Sequence, residues 1–279
     1  MKLPFIKMHG CGNDYIYFNC FEEPVEEPEK LAVRLSDRHK GIGGDGIILI
    51  CPSEIADVQM KMYNLDGSEG NMCGNGIRCV AKFAYDHHIA RKSQLKIETK
   101  SGIKTCVVHE ENGKVASVTV DMGKAILNPA EIPVNLPGDV IVDQSVTVDG
   151  KEWHITCVSM GNPHCVIFGE DPDTLELEKI GPKFEKNPLF PQQVNTEFIQ
   201  VLDTHTLKMR VWERGSGETM ACGTGTCAAV VAATLNGYCS KGEDILVHLR
   251  GGDLVINYTD DRVLMTGEAV EVFQGIIEV

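Results

Sequence analysis

Short apolar segments, alternating or continuous, dominate this chain and predict a protein built mainly from β-strands. Apolar Val58, Met60 and Met62 alternate with polar residues, as expected for a strand with one buried face. From Ile77 onward, apolar residues recur at spacings of three and four and predict a helix over about residues 74–89, with a second helix over about 223–236. Other helices are predicted at about 30–38 and 171–184, and strands at about 15–19, 47–51, 94–99, 103–109, 115–121, 140–148, 153–158, 164–168, 196–202, 206–213, 244–249, 253–258, 262–266 and 270–278.

The two long helices begin with the same pattern, a cysteine followed by Gly-x-Gly. Cys73 opens the first copy and Cys222 opens the second, 222 − 73 = 149 positions later. The same offset relates Glu69 to Glu218 and relates Gly12-Asn13 to Gly161-Asn162 without a gap. This repetition predicts a duplicated unit of about 130 residues, so that two pseudo-symmetric halves each contain α and β structure.

Proline-rich residues 124–138 are the best candidate for a linker between the halves. The predicted division is an N-terminal half over residues 1–123 that carries Cys73, and a C-terminal half over 124–267 that carries Cys222. We expect the last strand, about 268–279, to return to the N-terminal half. Two like halves that faced each other would bring both helix N-termini to one cleft.

Composition and charge narrow the class of protein. The 279 residues carry 26 Lys and Arg against 40 Asp and Glu, a net charge of −14 that disfavours binding to nucleic acid or to anionic membranes. No stretch approaches about 18 uninterrupted apolar residues, and charge returns early after Met1, so we expect a cytoplasmic protein without a membrane span. The eleven cysteines therefore predict free thiols in a reducing compartment.

A thiol at a helix N-terminus is chemically useful because the positive end of the helix dipole lowers its pKa. The cysteine spacings do not resemble those of structural zinc sites, and Cys-x-x-Cys is absent. A single cysteine nucleophile with His164 as its base, a redox pair and a purely structural role remain alternatives. The duplication favours another role for the two cysteines. In it, Cys73 and Cys222 act as acid and base on opposite faces of one carbon and invert the configuration of that carbon.

The glycines after each cysteine expose backbone N–H groups that can stabilise a carboxylate as charge develops. The sequence has no evident motif for a pyridoxal-phosphate lysine, so the expected reaction needs no cofactor and no metal.

Several segments, in this order, carry a resemblance to a known family over essentially the whole chain. They are Met8–Asp14, Asp37-Arg38, Gly41–Gly46, Asn64–Ser68, Cys73–Cys79, Gly161–His164, Asn195-Thr196-Glu197, Trp212–Gly215 and Ala221–Gly225. With them the chain resembles the diaminopimelate epimerases, cofactor-independent enzymes of lysine and peptidoglycan-precursor biosynthesis. The resemblance implies an α+β fold, in which each half is a strongly curved, mostly antiparallel sheet wrapped around a central helix. It also implies an active site in the cleft between the halves.

The resemblance further implies interconversion of LL- and meso-2,6-diaminopimelate, with Cys73 and Cys222 as the acid/base pair. Substrate contacts are implied for Asn13, Asn64, Gly74, Asn75, Asn162, Asn195, Glu213, Arg214, Gly223 and Thr224, with His164 as an accessory residue. Gly46 departs from family members that carry glutamine there, so no contact is expected from it. The alternative is another cofactor-independent racemase of the same fold, similar to proline racemase. The sequence leaves a homodimer open.

Overall fold

A computed structural model describes residues 2–278 of the chain. The chain divides into two compact units, Met1–Asp121 together with Thr266–Val279, and Met122–Met265. Strands dominate both units and helices are few, which confirms the predicted α+β class. Among the described residues, no helix is both long and apolar enough to cross a membrane.

The helices are α1 (Pro28–Ser36), α2 (Gly74–Asp86), α3 (Leu177–Glu185) and α4 (Gly223–Leu235), with a short 3-10 helix at Pro172–Thr174. The strands up to the end of the first duplicated segment are β1 (Lys2–Gly10), β2 (Asn13–Asn19), β3 (Gly46–Cys51), β4 (Val58–Asn64), β5 (Glu69–Gly70), β6 (Gln94–Thr99), β7 (Gly102–Glu111) and β8 (Lys114–Asp121). The others are β9 (Gln144–Val148), β10 (Lys151–Ser159), β11 (Pro163–Phe168), β12 (Asn195–Asp203), β13 (Thr206–Glu213), β14 (Gly217–Glu218), β15 (Asp244–Leu249), β16 (Gly252–Tyr258), β17 (Val263–Glu268) and β18 (Val270–Glu278).

In the first unit, helix α2 is buried along most of its length and packs on the sheet. Strand β2 runs parallel to β3 with Ile16 opposite Ile47, and β3 runs antiparallel to β4. The C-terminal strand β18 pairs with β1, which itself pairs with β2. Gly10, Asn13 and Gly46 lie at strand ends, and Gly10 lies near the beginning of α2, where its Cβ would contact the Asn75 side chain.

The second unit repeats this arrangement with the same strand register. Strand β11 runs parallel to β12 with Cys165 opposite Thr196, and β12 runs antiparallel to β13. Cys165 lies 165 − 16 = 149 positions after Ile16, and Thr196 lies 196 − 47 = 149 positions after Ile47. The internal duplication predicted from the cysteine motif is thus confirmed at the level of strand pairing. Helix α4 is buried against β10, β11, β12 and β16.

Helices α2 and α3 depart most from their predicted bounds, and α1 begins and ends two residues earlier than predicted. Helix α2 ends at Asp86 because His88 adopts a left-handed conformation (φ 61°), which an α-helix cannot continue. The helix predicted over 171–184 was wrong in its first part, since Leu175 is extended (ψ 138°) and separates the 3-10 helix from α3. The apolar spacing there is helical, but the Asp171 carboxylate caps the short turn first.

Gly181 of α3 provides a test of how tightly this helix packs. A Cβ at that position would lie 2.2 Å from Cδ2 of the Trp212 ring. We expect Gly181→Ala to destabilise the protein by about 1–3 kcal/mol by overpacking, although the same change in an open helical position stabilises. The control is Gly169→Ala, where a Cβ meets nothing within 4 Å. Urea unfolding would measure both, and an equal effect of the two substitutions would contradict the predicted packing.

Candidate active site

Cys73 is the N-cap residue of α2, and its side chain takes part in the capping. Its backbone is extended (φ −127°, ψ 120°), so the sulfur turns back over the first helical turn. There Sγ accepts a hydrogen bond from the backbone N–H of Gly76, at 3.3 Å. A side chain at Gly76 would displace a neighbour, because its Cβ would lie 2.7 Å from Cδ1 of Ile48 on β3. The glycine therefore lets the helix start rest directly on the strand beneath it.

The Cys73 sulfur also contacts a polar side chain, that of Asn13. The Cys73 thiol donates to Oδ1 of Asn13, at 3.1 Å. The Asn13 amide in turn donates from Nδ2 to the Asp45 carboxylate, at 2.6 Å. Tyr15 also lies near this thiol, and burial raises the pKa of its hydroxyl, so it is neutral near pH 7. We call Cys73, Asn13, Tyr15 and Asp45 the first thiol site.

Cys222 caps α4 in the same way. Its backbone is extended (φ −121°, ψ 109°), and Sγ accepts from the backbone N–H of Gly225 at 3.4 Å. The Thr224 hydroxyl lies 3.5 Å from the sulfur and also accepts from Nδ2 of Asn162, at 3.2 Å. The two thiols thus share one backbone geometry, each within its own unit.

Titratable side chains lie close to Cys222. His164 contacts Oδ1 of Asn162 through Nε2 (3.0 Å) and Oε1 of Glu197 through Nδ1 (2.7 Å), and the side chains of His164 and Glu197 are wholly buried. Glu213 lies within hydrogen-bonding reach of the thiol and accepts from Thr219. Burial raises the pKa of the Glu213 carboxyl. We call Cys222, Asn162, Thr224, His164, Glu197 and Glu213 the second thiol site.

Burial, followed by the charges of Glu213 and Glu197, raises the pKa of the Cys222 thiol well above its usual range. The Thr224 hydroxyl and the Gly225 N–H act in the opposite direction because they stabilise the thiolate. The protonated thiol is therefore the favoured form of Cys222 in the free protein, and this form can donate a proton.

The remaining predicted residues make other contacts. Asn64 on β4 donates to the Ser68 hydroxyl (3.0 Å) in the turn that follows. Asn195 is buried, donates to the Pro163 carbonyl and accepts from the backbone N–H of Arg214, both at 2.9 Å. The Arg214 side chain is exposed and donates to the Gln192 carbonyl. Asn195 thereby fixes the backbone that presents Arg214.

Comparison with known proteins identifies the family. The sequence profile of diaminopimelate epimerase matches residues 5–128 and 156–272. The chain belongs to the diaminopimelate epimerase family. It is 52% identical to the diaminopimelate epimerase of Agathobacter rectalis over 286 residues, covering 99% of this chain and 100% of the relative. It is 54% identical to that of Acetivibrio thermocellus over 276 residues, covering 98% of each.

Solved structures extend the fold beyond the diaminopimelate epimerase family. A PhzF-family phenazine biosynthesis protein of Bacillus anthracis superposes with a TM-score of 0.71 at 15% identity, covering 100% of both chains. A hydroxyproline epimerase of Agrobacterium vitis superposes with a TM-score of 0.68 at 13% identity, covering 99% of this chain and 92% of that one. At such low identities, the likeness concerns the fold alone.

Sequence reasoning missed Asp45 and Glu197 as site residues. Both stand in segments that resemble the diaminopimelate epimerase family, Gly41–Gly46 and Asn195-Thr196-Glu197, but neither has a counterpart of its own type. At the offset of 149, Glu197 corresponds to Ile48, and His164 corresponds to Tyr15. The available signal for such site residues was a polar residue in one copy that aligns, at the offset of 149, with an apolar residue in the other copy.

Glu197 offers a direct test of the charge around Cys222. Glu197→Gln preserves shape and an acceptor for His164 but removes one of the charges that raise the thiol pKa. We expect the rate of Cys222 modification by a methanethiosulfonate reagent at pH 8 to rise about tenfold, which corresponds to a pKa lower by about one unit. Peptide mass spectrometry would measure the rate. The matched control is Glu69→Gln, an exposed carboxylate paired with Lys100, and an equal rise there would contradict the prediction.

Proposed function

We propose that this chain interconverts LL- and meso-2,6-diaminopimelate by proton transfer at one α-carbon, with Cys73 and Cys222 as the two acid/base residues. Membership of the diaminopimelate epimerase family supports the substrate. The observation that carries the mechanism is the pair of thiols that cap α2 and α4 with the same geometry, at the same position of a duplicated unit.

Inversion of a stereocentre needs a base on one face of the carbon and an acid on the other. One cysteine, as the thiolate, takes the α-proton, and the C–H electron pair passes into the adjacent carboxylate. The other cysteine, as the thiol, delivers its proton to the opposite face and becomes the thiolate. The reverse direction exchanges the two roles, so two equivalent residues from two like halves suit a reversible epimerisation.

The α-proton of an amino acid is very weakly acidic, so the site must stabilise the negative charge that develops on the carboxylate. The first turns of α2 and α4 supply backbone N–H groups at Gly74, Asn75, Gly223 and Thr224 that the helical hydrogen-bond pattern leaves available. The positive ends of both helix dipoles favour the same charge. Oδ1 of Asn75 is buried without a hydrogen-bond partner among the described residues, which fits a group reserved for substrate.

Diaminopimelate carries a second amino-acid group that does not react and must be recognised. An arginine binds a carboxylate through two parallel hydrogen bonds, so exposed Arg214 is the proposed partner of the distal carboxylate. Glu213 is the proposed acceptor for an ammonium group. The amides of Asn13, Asn64, Asn162 and Asn195 can bind either group without adding charge.

The proposal extends to biology as well as chemistry. The reaction would operate in the cytoplasm, in lysine and peptidoglycan-precursor biosynthesis, and would need no pyridoxal phosphate. His164 is an accessory residue through its contact with Asn162.

Incubation of the protein with LL-diaminopimelate in deuterated water tests the reaction. We expect the meso isomer to form with deuterium at the inverted α-carbon, as followed by chiral chromatography and mass spectrometry. Cys73→Ala and Cys222→Ala should each lower kcat by about a thousandfold or more, since each removes one proton-transfer group. Cys51→Ala, a change at a half-buried strand cysteine, is the control and should retain activity. Full epimerase activity in Cys73→Ala would refute the two-thiol mechanism.

Arg214→Ala tests recognition of the distal carboxylate. Loss of a bidentate pair should raise KM for diaminopimelate at least tenfold, while the folded structure persists because the side chain is exposed. Steady-state kinetics would measure the change, with Arg91→Ala as a control in the other unit. Unchanged turnover of Arg214→Ala would favour a substrate without a second carboxylate, as in a proline-type racemase.

A further inference from the structure

We propose that Asp45 is a positioning residue that locks the Asn13 amide so that its carbonyl, and not its NH2 group, faces the Cys73 thiol. The role rests on the proposed function, in which Cys73 alternates between thiol and thiolate.

The chemistry of the partners fixes the orientation of this amide. A carboxylate only accepts hydrogen bonds, so Asn13 must present Nδ2 to Asp45, and Oδ2 of Asp45 lies 2.6 Å from it. The opposite end of the amide is then the carbonyl, and Oδ1 lies 3.1 Å from the Cys73 sulfur. A rotation of the amide by half a turn would bring Nδ2 to the sulfur and leave two acceptors facing each other.

Asp45 is itself held from several directions. Its Oδ1 accepts from the Arg38 guanidinium (2.9 Å), which also binds the Asp14 carboxylate. Its backbone N–H donates to the Asp14 carbonyl (2.7 Å), and its Oδ2 accepts from the Asp14 N–H (3.2 Å). These contacts fix the carboxylate at the end of the glycine loop, although its side chain is 35% exposed.

The second thiol site has no counterpart of the Asp45 carboxylate. Asn162 is the counterpart of Asn13 at the offset of 149, but the counterpart of Asp45 is Val194. Oδ1 of Asn162 contacts His164, and its Nδ2 points to Thr224 at the start of α4. Two equivalent asparagines therefore present opposite ends of their amides toward the two helix starts, and the partner on the far side decides which end.

The Asn13 carbonyl and the backbone N–H of Gly76 have opposite effects on the Cys73 pKa. The carbonyl accepts a hydrogen bond and favours the thiol, whereas the N–H donates one and favours the thiolate. Besides Asp45, the titratable groups around Cys73 include Tyr15, Tyr17 and Cys79, and burial raises the pKa of each. All three are neutral near pH 7. The Asn13 amide dipole thus remains to balance the helix N-terminus, and Asp45 sets the direction of that dipole.

The combination of Asp45→Asn with Asn13→Ala separates an effect through the Asn13 amide from a direct effect of the Asp45 charge. We expect Asp45→Asn to move the pH midpoint of Cys73 modification by a methanethiosulfonate reagent downward by about half to one unit, because the amide is freed to turn its NH2 toward the sulfur. Asn13→Ala should also lower the midpoint. Adding Asp45→Asn to Asn13→Ala should then change nothing further, since Asp45 acts through Asn13.

A further downward shift in the double variant would overturn the proposal, because Asp45 would then act through its own charge. An unshifted midpoint in Asp45→Asn alone would overturn it as well. Cys222 serves as the internal control and should keep its rate, as should Cys73 in Glu69→Gln. If thermal unfolding shows that Asp45→Asn is not folded, Asp45→Ser takes its place under the same criteria. Thiol modification needs no turnover, so the result stands apart from the test of epimerase activity.

Discussion

The hydrogen bond from a backbone N–H to the cysteine sulfur at the start of α2, repeated at α4, is the constraint on which the rest of the site depends. A glycine three residues after each cysteine accommodates it without displacing a neighbour, because a Cβ at Gly76 or Gly225 would lie 2.7 Å or 2.5 Å from the end of the strand side chain beneath. The hydrogen bond also stabilises thiolates, as does the helix dipole. Unopposed, these effects would lower the pKa of both thiols and weaken each as a proton donor. Each unit must therefore supply something that favours the protonated form.

The two units meet this need in different ways. Around Cys222, burial and the carboxylates of Glu213 and Glu197 raise the thiol pKa. Around Cys73, the side chains of Tyr15, Tyr17 and Cys79 are neutral near pH 7, and the Asn13 carbonyl accepts from the thiol. The backbone contact that lowers the cysteine pKa is thus the same in both units, whereas the side chains that favour the protonated thiol differ. A two-base epimerisation benefits because both residues must be competent as acid and as base.

The features visible in the sequence are those that depend on local pattern. The cysteine and Gly-x-Gly pattern predicted both long helices to within a few residues, and the offset of 149 predicted a duplication that the strand registers confirm. Local sequence pattern did not reveal Asp45 and Glu197 as site residues, because their contacts are with Asn13 and His164, which lie 32 and 33 residues away. The break at Leu175 escaped because a side-chain cap competed with helical apolar spacing.

Glu197 shows why such a residue is evidence of functional demand. It is wholly buried, and its Oε2 has no hydrogen-bond partner among the described residues. Burial of a carboxylate with an unsatisfied oxygen costs free energy that an apolar residue avoids. The first unit avoids this cost, since Ile48 fills the equivalent position and lies against Gly76, the counterpart of Gly225. The fold therefore does not require an acid there, and its presence beside Cys222 fits the acid/base role that we propose for that thiol.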